Sequence, residues 1–162
     1  MQIRKIEPRD FATVAMLENA NWTLKATPHL MNSSAQTIME KILKGTTYFL
    51  AIEQDEILGF LDFGPRHHSE FGQHVVTFGI MTVEKARKKG IATALIHHFI
   101  DFARHEGYKK ITIQVMGSNQ AGLQLYRKLG FVEEVCLRKE FYINGEYIDD
   151  YSFAYYLDKN LV

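Results

Sequence analysis

Val83-Glu84-Lys85-Ala86-Arg87-Lys88-Lys89-Gly90-Ile91-Ala92-Thr93-Ala94-Leu95 is the stretch around which the rest of the chain is arranged. An apolar, β-branched run over residues 75–83 leads into it. A short basic loop follows. Ile91, Ala94, Leu95, Phe99, Phe102 and Ala103 then recur at helical spacing on one face. A strand, a loop and a helix start in direct succession make an anion site. The first helical N–H groups have no partner within the helix, and the macrodipole puts partial positive charge there. Gly90 lets backbone approach a ligand, and Ala92 keeps the first turn uncrowded. Arg87, Lys88 and Lys89 add positive charge. With the amides that run on through Ile91 and Ala92 to Thr93, they form a seat for a pyrophosphate.

Working outward, residues 3–6 read as a first strand. Pro8, Arg9 and Asp10 start a helix that runs to about Asn19 on Phe11, Val14, Ala15 and Leu17. Residues 19–32 form a link containing Trp22 and Pro28. Ser33 or Ser34 caps a helix carrying Ile38, Met39, Ile42 and Leu43, which Gly45 stops. Strands follow over 46–53, 57–63 and 74–83, then the helix over about 90–106, which Gly107 ends. Residues 110–115 alternate as a strand. Ser118 caps a short helix over 119–129, broken by Gly130. Residues 131–142 and 147–157 are two strands joined by the hairpin signal Asn144-Gly145. The order is βααβββαβαββ. That is an α/β chain with a mixed central sheet of about seven strands and about four helices, read as a single domain over 1–162.

At 162 residues and 46% hydrophobic content, the chain is large enough for a real core. Formal net charge is +0, so no overall field favours nucleic acid or an anionic membrane. The single cysteine, Cys136, excludes an internal disulfide and a multi-cysteine zinc site. Between Val135 and Leu137 it reads as a buried or half-buried strand thiol. No signal-peptide core and no run of transmembrane length appear, and a cytoplasmic location is the expectation.

Two motifs combine. Arg87-x-x-Gly90-x-Ala92 stands at the strand-to-helix junction. Asn119-x-x-Gly122-x-x-Leu125-Tyr126-x-Lys128-x-Gly130-Phe131 follows the next strand. In this order and spacing they closely resemble the GNAT (GCN5-related N-acetyltransferase) superfamily. Gly122 stands where the family more often has alanine. The resemblance implies the GNAT fold and acetyl-CoA as cofactor, with the pyrophosphate on the amides of residues 87–93. It implies that the strand backbone at Met81, Thr82 and Val83 pairs with the pantetheine arm. It implies that the Met81 amide holds the thioester oxygen, beside a splay that Gly79 helps to open. Tyr126 matches the family's general acid, which protonates the leaving thiolate. Asn119 would bond the pantetheine while also capping its helix.

The general base is the open position. No acidic residue lies in 75–83, and Glu70 or His74 just ahead of it, or a water relay, would remove the amine's proton. Asp62 lies on the preceding strand. His67-His68 and His97-His98 do not make a metal site, because adjacent residues diverge and no carboxylate stands at ligand spacing. Asp149 reads as structural, within the hairpin. The acceptor pocket is expected from the early helices, the link near Trp22, residues 64–72 and the last hairpin. The expectation is an N-acetyltransferase acting on a small amine, an amino acid derivative or a peptide N-terminus, by direct attack in a ternary complex. The alternative is a non-catalytic acyl-CoA sensor on the same scaffold. The aromatic last strands offer a surface for a homodimer.

Overall fold

The computed structural model describes residues 1–162. Its elements are β1 (Gln2–Lys5), α1 (Phe11–Asn21), α2 (Ala35–Leu43), β2 (Thr47–Glu53), β3 (Glu56–Pro65), β4 (Val75–Thr82), α3 (Ile91–His105), β5 (Lys110–Met116), α4 (Gln120–Lys128), β6 (Val132–Ile143) and β7 (Glu146–Tyr156). The order is the one expected. The seven strands form one sheet in the order β1-β2-β3-β4-β5-β7-β6. Only β4 and β5 are parallel, because α3 carries the chain back to start β5 at the same end.

The two faces of the sheet bury different things. On one face Phe49, Phe63 and Phe78 pack against Phe99 and Phe102 of α3. On the other, Tyr48 and Phe60 lie under α1 and α2, with Trp22 at 5.9 Å from Phe60. That second face holds charge as well as apolar surface. Glu18 of α1, at an apparent core position, is 0% exposed. It is tolerated because Lys41 reaches it from α2 at 3.1 Å, Ser33 Oγ donates to it at 2.5 Å and Tyr48 Oη donates at 3.1 Å.

Three local readings change. α1 begins after a short 3-10 turn at Pro8–Asp10, where Asp10 accepts from Arg4 at 2.7 and 2.9 Å. Asn119, rather than Ser118, caps α4, and Ser118 Oγ instead donates to the Lys25 carbonyl at 2.7 Å. Cys136 is exposed, because β6 is the outer edge strand and its burial pattern is open on both sides. Asp149 is structural as expected: its Oδ1 takes the Lys139 N–H at 2.8 Å, at a bulge where Lys139 has φ 56°.

Candidate active site

β4 and β5 pair only over Val75, Val76 and Thr77, against Lys110, Ile111 and Thr112. The side chain of Thr77 makes a further tie, Oγ1 donating to the Thr112 carbonyl at 3.1 Å. Past Thr77 the two strands separate while each keeps its outer partner. The result is a V-shaped opening, with one wall of β4 backbone that has no strand opposite.

The register decides which groups face that opening. The Val83 N–H donates to Leu58 at 3.0 Å and the Arg66 N–H to Val75 at 3.3 Å, both across to β3. N–H and C=O groups alternate sides along an antiparallel strand. Residues 75, 77, 79, 81 and 83 therefore turn theirs to β3. The His74 carbonyl faces the other way, accepting from Lys109 and Lys110 at 2.9 and 3.2 Å. Ile80 and Thr82 share that orientation and point into the V. The amide expected at Met81 for the thioester oxygen is thus turned to β3, as is that of Val83. The amide that faces the opening just beyond the splay is that of Ile80.

The phosphate end is built as the sequence suggests, with refinements. A 3-10 turn, Glu84–Ala86, ends β4 and takes up the Arg87 N–H on the Glu84 carbonyl at 3.1 Å. Lys88 (φ 61°) and Gly90 (φ 81°) are both left-handed, and Gly90 is the N-cap of α3. The first helical bond is Ala94 N–H to Gly90 at 2.9 Å, so the amides of Ile91, Ala92 and Thr93 lie ahead of it. A Cβ on Gly90 would meet nothing within 4 Å, so the approach is open. Lys85 is paired with Glu56, leaving Arg87, Lys88 and Lys89 exposed around these amides. This set suits a pyrophosphate.

Tyr126 of α4 lies on the α3 face, its ring 6.0 Å from Phe78, 5.6 Å from Phe131 and 6.3 Å from Phe153. The aromatic packing fixes the ring beside the last paired residues of β4. Burial alone pushes its hydroxyl well above the usual phenol range, so it stays protonated at neutral pH. Asn119 Oδ1 accepts the Gly122 N–H at 3.0 Å, which leaves its Nδ2 to donate elsewhere. A Cβ on Gly122 would stand 2.6 Å from that Nδ2, which accounts for glycine at this position.

Glu70 lies in an exposed 3-10 turn, Glu70–Gly72. His74 is exposed at the closed end of the V, five residues from Gly79, roughly 16 Å along the strand. The carboxylate that does reach the opening is Asp62 of β3, directly opposite Gly79. It lines a cavity of about 360 Å³ with Thr77, Phe78 and Gly79, and with Lys44 and His68. Asp62 as a residue is half-buried, but its Oδ1 is wholly enclosed and has no hydrogen-bond partner. Desolvation, with the charge of Glu18 adding and that of Lys41 opposing, raises its carboxyl to about 6. Gly79 is open on this face because that space is taken: a Cβ there would lie 2.9 Å from Asp62 Oδ1 and 3.5 Å from the Trp22 ring. The last hairpin contributes nothing to the cavity. His98 packs edge-on to Phe49 at 4.6 Å, and no cluster of three metal-ligating side chains exists.

A sheet split after its parallel pair, with a cation-rimmed helix N-terminus at the next junction, makes this an α/β protein with an open, anion-suited cleft. Residues 14–131 match the model of the Acetyltransferase (GNAT) family, and the chain belongs to that family. It is similar to an SPbeta prophage-derived uncharacterized N-acetyltransferase, YokL, of Bacillus subtilis, at 28% identity over 95% of this chain and 88% of that one. Among solved structures, smu.2055 from Streptococcus mutans superposes with TM-score 0.94 at 38% identity, covering 98% of this chain and 100% of that one. A putative acetyltransferase from Salmonella typhimurium, solved with acetyl-CoA, shares the fold at TM-score 0.87 and 19% identity, over 98% of this chain and 95% of its own. No helix is long and apolar enough to cross a membrane.

Proposed function

We propose that the chain is an N-acetyltransferase that moves acetyl from acetyl-CoA to a primary amine by direct attack in a ternary complex. The observation that carries this reading is the β4–β5 opening, which has a phenol on one side and a cavity on the other. Acetyl-CoA, when bound, supplies an acyl carbon and a thiolate leaving group. Ile91, Ala92 and Thr93 would hold its pyrophosphate by backbone amides, with Arg87, Lys88 and Lys89 around them. The exposed backbone of Ile80 and Thr82 would pair with the pantetheine, and Asn119 Nδ2 would donate to it.

The Ile80 amide is placed to bind the oxygen on which charge develops, a task for a fixed donor. Tyr126, held protonated by burial, would give its proton to the leaving thiolate. The kinship with YokL, named as an N-acetyltransferase, supports nitrogen as the acceptor atom. Val132, Val135 and Leu137, exposed on the edge strand, support a homodimer, which sedimentation would read. The test of function is CoA release by the purified chain across a panel of amino acids, short peptides, polyamines and simple amines. One or more should accelerate release. Binding of acetyl-CoA with no acceleration by any of them would overturn the reading.

A further inference from the structure

We propose that Asp62 is the residue that receives the acceptor's ammonium group and takes its proton. The inference rests on the acetyl-transfer reading and adds the group that faces the amine.

Three observations converge. The first is place. Successive residues of β4 point to opposite faces of the sheet. Phe78 carries the contact to Tyr126 on the α3 face, and Gly79 carries the contact to Asp62 on the face of α1 and α2. Acid and carboxylate therefore flank the same two residues of one strand, from opposite sides. The next residue is Ile80, whose amide faces the opening. The 360 Å³ cavity is lined by Asp62 and by Thr77, Phe78 and Gly79 of β4, so an amine held in it would stand beside Asp62 and the strand that borders the V.

The second is an unmet need. A buried carboxylate is stable only with a donor or a cation beside it. Three donors on this face of the sheet are already committed to Glu18. Lys41, from α2, binds both oxygens of Glu18 at 3.1 and 3.2 Å. The Tyr48 hydroxyl, from β2, and the Ser33 hydroxyl also go to Glu18. Lys44 and His68 line the cavity, but neither is bonded to Asp62 Oδ1, which has no partner at all. A primary ammonium has three N–H donors, and it supplies what the chain withholds.

The third is a chemical match. Of the two carboxylates on this face, Glu18 is paired with Lys41 and Asp62 has no cation bonded to it. Glu18 holds the cation, and Asp62, with the Glu18 charge behind it, is left with its affinity for protons raised to about 6. That makes it ionised at neutral pH and still basic enough to act. Asp62 removes one proton from the ammonium and returns it to solvent through the cavity. The nitrogen lone pair forms the C–N bond, and the C–S bond breaks. The thiolate takes the Tyr126 proton, and the nitrogen's second proton restores Tyr126. One ammonium and one thioester give one amide, one thiol and one proton.

The experiment uses the full chain and the best acceptor from the amine panel. The pH profile of kcat/KM is measured for the wild type, Asp62→Asn and Gly79→Ala, with acetyl-CoA affinity by calorimetry and a thermal melt for each. The wild type should lose kcat/KM below about pH 6. Asp62→Asn should lower it by about 10²-fold or more and abolish that acid limb. Acetyl-CoA should bind the variant within about twofold of the wild type, which a misfolded chain would not do. Gly79→Ala, whose methyl intrudes on Asp62 Oδ1, should raise KM for the amine and displace the limb. An Asp62→Asn enzyme that folds and keeps wild-type kcat/KM, or keeps the limb, overturns the proposal. If the wild type transfers acetyl to no amine, the function reading fails and Asp62 is judged separately. Its ¹³C carboxyl resonance is then titrated with ethylamine hydrochloride, and a midpoint that ethylammonium leaves unmoved overturns the ammonium site.

Discussion

Asp62 binds a proton more tightly in the folded chain than in the unfolded one, since burial moves its carboxyl from 3.8 to about 6. The sign follows. Its contribution to stability is fully present below 3.8 and is lost as pH rises through about 6. Ionised Asp62 therefore costs the apo protein up to about 3 kcal/mol at neutral pH, taking about 1.4 kcal/mol per pKa unit. Asp62→Asn should stabilise the chain against urea at about pH 8 and change little near pH 4. Equal stabilities at the higher pH would refute this cost. Tyr126 carries the complementary prediction. Phe78, Phe131 and Phe153 hold its ring, so Tyr126→Phe keeps the packing and removes only the hydroxyl. Turnover should fall roughly 10²-fold with acetyl-CoA affinity nearly unchanged, and wild-type turnover would remove Tyr126 from the mechanism. The places of Tyr126 on α4 and of Asn119 at its N-cap were legible because their spacing along one helix is a local pattern. Asp62 was not, because its character comes from burial, from Gly79 across the ladder and from Glu18 forty-four positions earlier, none of which leaves a local signal.

The start of α3 and the end of β4 act as elements rather than as residues. Gly90 turns the chain left-handed at φ 81° so that the Ile91, Ala92 and Thr93 amides converge on one point. Nothing lies within 4 Å of a Cβ there, so the cost of Gly90→Ala is conformational alone, about 1–2 kcal/mol. The variant should lose that much stability in urea and bind acetyl-CoA several-fold more weakly by calorimetry. Full affinity would mean that the amide cluster does not hold the pyrophosphate. This loop was legible because glycine, cations and helical period coincide in a dozen residues. The assignment of Met81 as the oxyanion donor failed for a reason of the same scale. Side-chain alternation in a strand is visible in sequence, but which alternate set of amides faces a given neighbour depends on the partner strand. Val83 on Leu58 fixes that set here, and it turns Ile80 rather than Met81 to the opening. Cys136 failed likewise, since an apolar strand reads the same whether it is central or, like β6, at the edge.

At the scale of the whole molecule, the sheet is a partition with one gap. α3 and α4 cover the face with Tyr126, while α1 and α2 cover the face with Glu18 and Asp62. The gap exists because β5 is held by β7 along its full length from Lys110 to Met116, while β4 is held by β3 from Val76 to Thr82. Each strand follows its own outer partner, and the shared pairing stops at Thr77. On the proposed reading, donor and acceptor would approach the same point from different sides and need not displace one another. Initial rates measured with both substrates varied should give intersecting double-reciprocal lines. A covalent acyl-enzyme would give parallel lines instead, and it would need a nucleophile at the gap. The chain's one thiol, Cys136, is on the outer strand β6, separated from β5 by β7 and turned to solvent. Cys136→Ser should therefore retain wild-type kcat and kcat/KM, and the wild type mixed with acetyl-CoA alone should show no acetyl adduct by intact-protein mass spectrometry. Parallel lines together with an adduct lost in Cys136→Ser would replace direct attack with a two-step transfer, and the partition would then have to open far enough to bring β6 to the thioester.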